Sequence, residues 1–103
     1  MKILCICEEG YKRSVITRRL LIYKHHDAVA MGLNNSIELR NLLSEWADVI
    51  LLAEAWMKKE IDPLFHGKIE SQYDIGPDHY QPTLTDRRLV REVTKKLKEL
   101  KYL

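Results

Sequence analysis

Two short apolar runs limit most strongly how this chain can fold. KILCIC covers residues 2–7 and DVILLA covers residues 48–53. Neither run alternates regularly between apolar and polar residues, which is typical of a strand covered on both faces. Strands of this kind occur mainly in parallel sheets that carry helices on both sides. The two runs therefore predict an α/β fold.

Segments with helical spacing separate and follow these runs. Residues 14–24 predict a first helix, and residues 55–61 predict a short one that Pro63 ends. Another helix is expected to begin at Asn35, since Glu38 follows three residues later as in a capping box. The buried face of that helix would contain Leu39, Leu42, Leu43 and Trp46.

The end of the sequence predicts a last helix. Thr83 or Thr85 can cap its first turn. Its apolar stripe would consist of Leu89, Val90, Val93, Leu97 and Leu100. Lysines crowd the last turns, where positive charge suits the negative end of the helix dipole.

The order of these elements predicts a single domain over residues 1–103. Two further strands are expected at residues 27–31 and 68–73, so that strands and helices alternate. Right-handed crossovers turn this pattern into a three-layer doubly wound sandwich. Its sheet is predicted to have four parallel strands in the order 2-1-3-4, with helices on both faces. Ligands of such folds bind at the carboxyl ends of the strands.

The composition argues against several classes of protein. Apolar residues make up 46% and charged residues 31% of the chain, as in ordinary globular domains. No apolar run approaches the roughly 18 residues of a membrane-spanning helix, and MKILCIC lacks the features of a secretory signal. A net charge of +2 is too small to indicate a nucleic acid partner. We expect a cytoplasmic protein, a monomer or weak dimer, that binds neither membranes nor nucleic acid.

The cysteines and histidines indicate free thiols and no metal. Cys5 and Cys7, the only two cysteines, are poorly placed on one strand to bridge each other. Free thiols suit a reducing compartment. The four histidines lack the spacing of a zinc site. Neither a metal nor another cofactor is therefore expected.

The segment CEEGYKRS, residues 7–14, leaves the first predicted strand and enters the first predicted helix. A loop in this position can turn several backbone N–H groups toward one point, where they bind phosphate or stabilise a thiolate. Arg13 would add two parallel donors for phosphate oxygens. Ser14 can donate its hydroxyl to the sulfur of Cys7, and Gly10 can adopt a positive φ. The motif predicts a thiolate that faces a phosphate.

A cysteine, five residues, an arginine and a serine form the signature of cysteine-dependent phosphatases. The chain resembles the low-molecular-weight protein tyrosine phosphatase family, and in particular its short predicted members. SEWADVILLAE is similar to the family's third-strand segment, and DIGPDHY is similar to its acid-bearing loop. The resemblance extends over nearly the whole chain.

The resemblance implies a two-step phosphoryl transfer. Cys7 would attack phosphorus and form a phosphocysteine, while Arg13 and the N–H groups of residues 8–13 hold the oxygens. Asp78 would protonate the leaving oxygen and then activate water, although Asp74 on the same loop is an alternative acid. The substrate would be a phosphorylated protein, with phosphotyrosine as the family's choice, or a small phosphomonoester. Residues expected to contact it are Glu8, Glu9, Gly10, Tyr11, Lys12, Ser14 and Tyr80.

Two features depart from the family pattern. Gly10 and Val15 replace the usual asparagine and proline, and the glycine in place of asparagine suggests a looser loop. Glu8 and Glu9 place negative charge beside the thiolate, where it opposes ionisation and repels a dianionic substrate. Because the N–H groups of such a loop point inward, we expect both carboxylates to point into solvent. They would then reduce the rate or filter substrates, although loss of activity stays open.

Three other functions are compatible with a cysteine after the first strand. A phosphocysteine carrier, like the IIB subunits of sugar phosphotransferase systems, would need neither Arg13 nor an acid. Arsenate reduction would need further thiols, and only Cys5 is available. A non-catalytic phosphate-binding module would keep the loop without turnover. Asp48 and Glu54 are interpreted as strand-end residues that serve as surface or cap partners.

Overall fold

The computed structural model describes residues 1–80 and 86–103 of the chain. Its three strands are β1 (Lys2–Cys7), β2 (Asp27–Gly32) and β3 (Val49–Leu52). Its three α-helices are α1 (Arg13–Tyr23), α2 (Ile37–Trp46) and α3 (Arg87–Glu99). Two 3₁₀ helices, Ala55–Glu60 and Pro63–Lys68, follow β3. Both β2 and β3 pair with β1 in parallel, so the predicted α/β class is confirmed.

The predicted four-stranded sheet is wrong. In the described residues the sheet has three strands in the order β2-β1-β3. The expected fourth strand is reduced to a single parallel bridge between Ile69 and Ile50. The 3₁₀ helix takes up the chain through Lys68, and the N–H of Tyr73 donates to the carbonyl of Glu70, 3.3 Å away, in a turn. Only Ile69 and Glu70 are left to run beside β3.

Helices cover both faces of the sheet. Ile3 and Cys5 of β1 pack on one side with apolar residues of α1 and α3, among them Leu21 and Leu89. Leu4 and Ile6 pack on the opposite side, against part of α2 and the two 3₁₀ helices. The alternation of side chains along β1 therefore divides the core into two clusters. Every helix in the described ranges is too short or too polar to cross a lipid bilayer.

The start of α2 differs from the prediction. Ser36, not Asn35, caps the helix, since its Oγ accepts from the N–H of Leu39 at 3.2 Å. The Oδ1 of Asn35 instead accepts from the N–H of Gly32 at 3.0 Å and closes the turn after β2. The predicted buried face is also partly wrong, because 66% of Leu42 is exposed.

Helix α3 has the apolar stripe that its sequence predicts. Leu89, Val93 and Leu97 are fully buried against β1 and α1 residues. Its N-cap is Asp86, whose Oδ1 accepts from the N–H groups of Arg88 and Leu89 at 2.9 and 3.4 Å. The predicted caps Thr83 and Thr85 lie outside the described residues.

The connections around β1 open a crevice at the carboxyl edge of the sheet. The chain leaves β1 through α1 to reach β2 on one side, and then passes through α2 to β3 on the other. Loops that follow β1 and β3 therefore diverge, which is where ligands bind in doubly wound sheets. Residues 8–12 and residues 53–54 border this crevice.

Candidate active site

The loop after β1 wraps around the sulfur of Cys7. The N–H of Gly10 donates to Cys7 Sγ at 3.1 Å. Gly10 has a φ of +80°, and a Cβ there would lie 2.5 Å from the backbone nitrogen of Gly32. Any larger residue would therefore strain the loop and overlap with β2. Glycine at this position fits a loop that is closely packed, whereas the sequence suggested a loose one.

Ser14 lies on the inner side of the same sulfur. Its Oγ is 3.1 Å from Cys7 Sγ, and both side chains are buried. The first turn of α1 holds Ser14 in this position, because the loop enters the helix one residue earlier. A hydroxyl at this distance can donate to a thiolate.

The thiol of Cys5 differs chemically from that of Cys7. Cys5 is buried in the core cluster with α1 and α3, and both cysteines are free. Burial raises the pKa of the Cys5 thiol well above its ordinary value. Cys5 therefore behaves as a small apolar side chain.

Within the described residues, Arg13 is held through one terminal nitrogen of its guanidinium. Its Nη1 donates to Glu54 Oε2 at 2.8 Å and to the carbonyl of Gly76 at 2.7 Å. Only 3% of the residue is exposed. Its Nε is buried and has no hydrogen-bond partner within residues 1–80 and 86–103. A buried donor without a partner is costly, and an acceptor on a ligand could relieve that cost.

Glu54 is the residue that the sequence interpretation missed. Its place in the sequence predicts a strand-end surface or cap partner, but its carboxylate pairs with the buried Arg13 guanidinium. It follows β3 by two residues and so lies at the carboxyl edge beside β1. An acid directly after the second buried run was the available signal, because parallel neighbouring strands end at the same edge.

The loop that carries Asp74 and Asp78 is hydrogen-bonded to Ala53, the residue after β3. The N–H groups of Ile75 and Gly76 both donate to the carbonyl of Ala53, at 2.8 and 3.1 Å. The Oδ1 of Asp74 accepts from the N–H of Gly76 at 2.9 Å, so this carboxylate closes a local turn. Asp74 does not line the cavity beside Cys7, whereas Asp78 does.

Asp78 is paired with Lys12. Lys12 Nζ lies 2.7 Å from Asp78 Oδ2, and the N–H of Tyr80 donates to Asp78 Oδ1 at 3.2 Å. Partial burial raises the pKa of Asp78, but the hydrogen bonds from Lys12 and Tyr80 and the charges of Lys12 and Arg13 lower it more. The net result is a lowered pKa, and the same contact raises the pKa of Lys12.

A cavity of about 60 Å³ lies between these groups. Its lining consists of Cys7, Glu8, Glu9, Tyr11, Lys12, Arg13 and Asp78. This volume is several times the roughly 10–15 Å³ that one water molecule needs, so the cavity has room for a compact anion such as phosphate. We call Cys7 and Arg13 the cavity floor, and we call Glu8, Glu9, Tyr11, Lys12 and Asp78 the cavity rim.

Three of the predicted contact residues do not line the cavity. Gly10 and Ser14 lie behind it, on the sulfur of Cys7. Tyr80 contributes its backbone to Asp78, while its ring lies under the guanidinium of Arg88, 5.7 Å from the ring centre. An interaction of Tyr80 with a substrate ring stays a prediction.

Glu8 and Glu9 are exposed at the cavity mouth. Neither forms an ion pair within the described part of the chain. A hydrogen bond to Glu9 is the largest of the effects that raise the pKa of Tyr11. The carboxylates therefore face solvent, as expected for a loop whose N–H groups point inward.

No metal centre is apparent in the residues that the structure describes. They contain no group of three or more His, Cys, Asp or Glu side chains that could hold an ion. The chemistry available at the cavity is that of a thiol, a guanidinium, an ammonium and several carboxylates.

Comparisons with family models, with curated proteins and with solved structures found no match to this chain. The resemblance to the low-molecular-weight protein tyrosine phosphatases therefore depends on the motif residues.

Proposed function

We propose that this protein is a cysteine-dependent phosphomonoester hydrolase of the low-molecular-weight protein tyrosine phosphatase type. One observation carries the proposal: the buried Arg13 Nε–H has no partner in the described residues, and the Arg13 side chain lines a cavity that Cys7 also lines. A phosphate oxygen is a strong acceptor of suitable size. Cys7 would then be the nucleophile for the phosphorus atom.

Binding would use the side of the Arg13 guanidinium that Glu54 leaves open. Because Glu54 and Gly76 engage Nη1, the parallel Nε–H and Nη2–H groups remain to donate to two phosphate oxygens. The backbone N–H groups at the start of α1 add the positive end of a helix dipole. Planar, bidentate recognition of this kind needs arginine and is not possible with lysine.

The reaction would proceed in two balanced steps. The Cys7 thiolate attacks phosphorus, an S–P bond forms, and the P–O bond to the leaving group breaks as Asp78 gives that oxygen a proton. In the second step the Asp78 carboxylate takes a proton from water, which attacks the phosphocysteine. The S–P bond breaks, inorganic phosphate leaves, and the thiolate is restored with a hydrogen bond from Ser14.

The Lys12–Asp78 pair limits the first step. Asp78 must be protonated to act as the acid, and the contact with Lys12 lowers its pKa. A bound phosphate dianion would compete for the Lys12 ammonium and so weaken this effect. We therefore expect activity to be greatest on the acidic side of neutrality.

The same ion pair favours the non-catalytic phosphate-binding module as the second candidate. An acid held ionised by Lys12 donates no proton, although the cavity floor could still bind phosphate. Arsenate reduction has less support, since Cys5 is buried in the core and burial raises its pKa. A phosphocysteine carrier would leave Asp78 without a role.

Hydrolysis of an aryl phosphate separates these functions. We expect C7S to abolish turnover, R13A to lower kcat/KM about 10²- to 10³-fold, and D78N to lower it about 10²- to 10⁴-fold. D74N is the matched control and should retain the wild-type rate. A wild-type rate no higher than that of C7S, with phosphate binding intact in both, would establish the non-catalytic module instead.

A further inference from the structure

Three carboxylates line the cavity, a fourth, Glu54, contacts Arg13, and two of the four form ion pairs within the described residues. Glu54 pairs with Arg13, and Asp78 pairs with Lys12. Glu8 and Glu9 line the mouth and form no ion pair with the described residues. The two cations of the site are thus already balanced before any substrate enters.

A bound phosphate therefore leaves an excess of negative charge at the mouth. A phosphomonoester brings about −1.5 to −2 charges near neutral pH, and Glu8 and Glu9 add two more. Like charges close to this point repel, and a cation placed there is attracted. Screening limits the effect to roughly 8 Å at physiological salt. Only the groups nearest to the phosphate on the substrate would be affected.

The size of the cavity determines which part of the substrate meets these charges. A cavity of about 60 Å³ has room for the phosphate group, and the rest of the substrate would lie across the cavity rim. Tyr11 is 49% exposed there and lines the same cavity as Glu9. The ring of a phosphorylated tyrosine can pack on this exposed aromatic side chain. Residues that flank it in a peptide would then lie near Glu8 and Glu9.

We propose that Glu8 and Glu9 select phosphotyrosine peptides that carry lysine or arginine beside the phosphorylated residue. The selection rests on the proposed function, because it assigns the substrate of the same cavity. The acidic pair thus determines specificity, and repulsion of acidic peptides is as much a part of it as attraction of basic ones. Each exposed pair of opposite charges is expected to change kcat/KM by about two- to fivefold.

The test uses three phosphotyrosine peptides of equal length whose flanking residues are lysine, glutamine or glutamate. We expect wild type to prefer the lysine peptide over the glutamate peptide by about tenfold in kcat/KM. The preference should fall with added salt and shrink to about twofold or less in the E8Q/E9Q double variant. E45Q removes an equal charge from an exposed position on α2 and should keep the full preference.

Ratios between peptides within one variant decide the outcome, so any overall change of rate cancels. Equal kcat/KM for the three peptides in wild type, or an unchanged preference in E8Q/E9Q, would overturn the selection while hydrolysis itself stands. Absence of aryl phosphate hydrolysis would instead overturn the proposed function. In that case the Kd values of the three peptides for C7S decide the selection: a preference for lysine supports it, and equal values contradict it.

Discussion

The cavity floor and the cavity rim come from one short segment of chain, yet different forces hold them. On the floor, Arg13 is buried and fixed by the Glu54 carboxylate and by a backbone carbonyl. On the rim, the adjacent Lys12 pairs with Asp78, whose side chain is one-third exposed. Two neighbouring cations thus serve different purposes. The Arg13–Glu54 pair gives the floor a fixed geometry, whereas a substrate could compete for the more exposed Lys12–Asp78 pair on the rim.

The largest expected effect tests how firmly the floor is held. Among the described residues, Glu54→Ala leaves the buried Arg13 guanidinium with the Gly76 carbonyl as its partner, and loss of one member of a buried pair costs about 3–5 kcal/mol. We expect urea unfolding to show this loss and the aryl phosphate kcat/KM to fall at least tenfold. Equal losses of stability in E54A and in the rim variant D78N would contradict the distinction between floor and rim.

The next effect concerns the loop that supports the floor. Gly10→Ala places a Cβ 2.5 Å from the Gly32 nitrogen at a φ of +80°, which should cost about 1–3 kcal/mol. Gly67→Ala is the matched control, since a Cβ there meets nothing within 4 Å. Chemical denaturation of both variants checks the prediction. If G10A unfolds like G67A, the loop is looser than its contacts indicate.

On the rim, a change of charge should alter pH dependence more than stability. Lys12→Met removes the ammonium that lowers the pKa of Asp78. The pKa of the acid then rises, and the alkaline limb of the kcat/KM profile should move to higher pH. Lys95→Met, an exposed lysine on α3, serves as the control and should leave the limb in place. A limb that does not move in K12M would show that Asp78 is not the acid.

The smallest effect is the contribution of the rim to folding stability. Because the pKa of Asp78 is lowered in the folded protein, its contact stabilises above the ordinary aspartate pKa and is lost as the pH falls through the lowered value. An exposed pair contributes below about 1 kcal/mol. The difference between wild type and D78N should therefore be small at pH 7 and shrink further as the pH falls below about 4. A difference that grows in acid would contradict this sign.

The elements that the sequence predicted well are those with local signals. The continuous apolar runs predicted β1 and β3, and the spacing of Cys7, Arg13 and Ser14 predicted a loop that closes on a sulfur. The fourth strand was wrong because its weak pattern competed with a 3₁₀ helix that extends through Lys68. Local composition alone does not decide between the two.

Contacts between distant segments account for what the sequence could not predict. The partner of Arg13 is Glu54, and the partner of Lys12 is Asp78, which lies on a loop far along the chain. Which cation meets which acid depends on how the two loops diverge at the edge of the sheet. The position of Asp78 was predictable from a motif, but its ionised, paired state was not.

The close approach of Gly10 to Gly32 makes the sulfur-binding loop depend on the neighbouring strand. A Cβ on Gly32 would itself lie 2.5 Å from the carbonyl carbon of Glu9. Neither glycine can be exchanged alone, and a larger residue at one cannot be relieved by trimming the other. Anyone who grafts residues 7–14 onto a different parallel sheet would have to transplant the adjacent glycine as well. A transferable segment of this kind would therefore consist of the loop after β1 together with the end of β2.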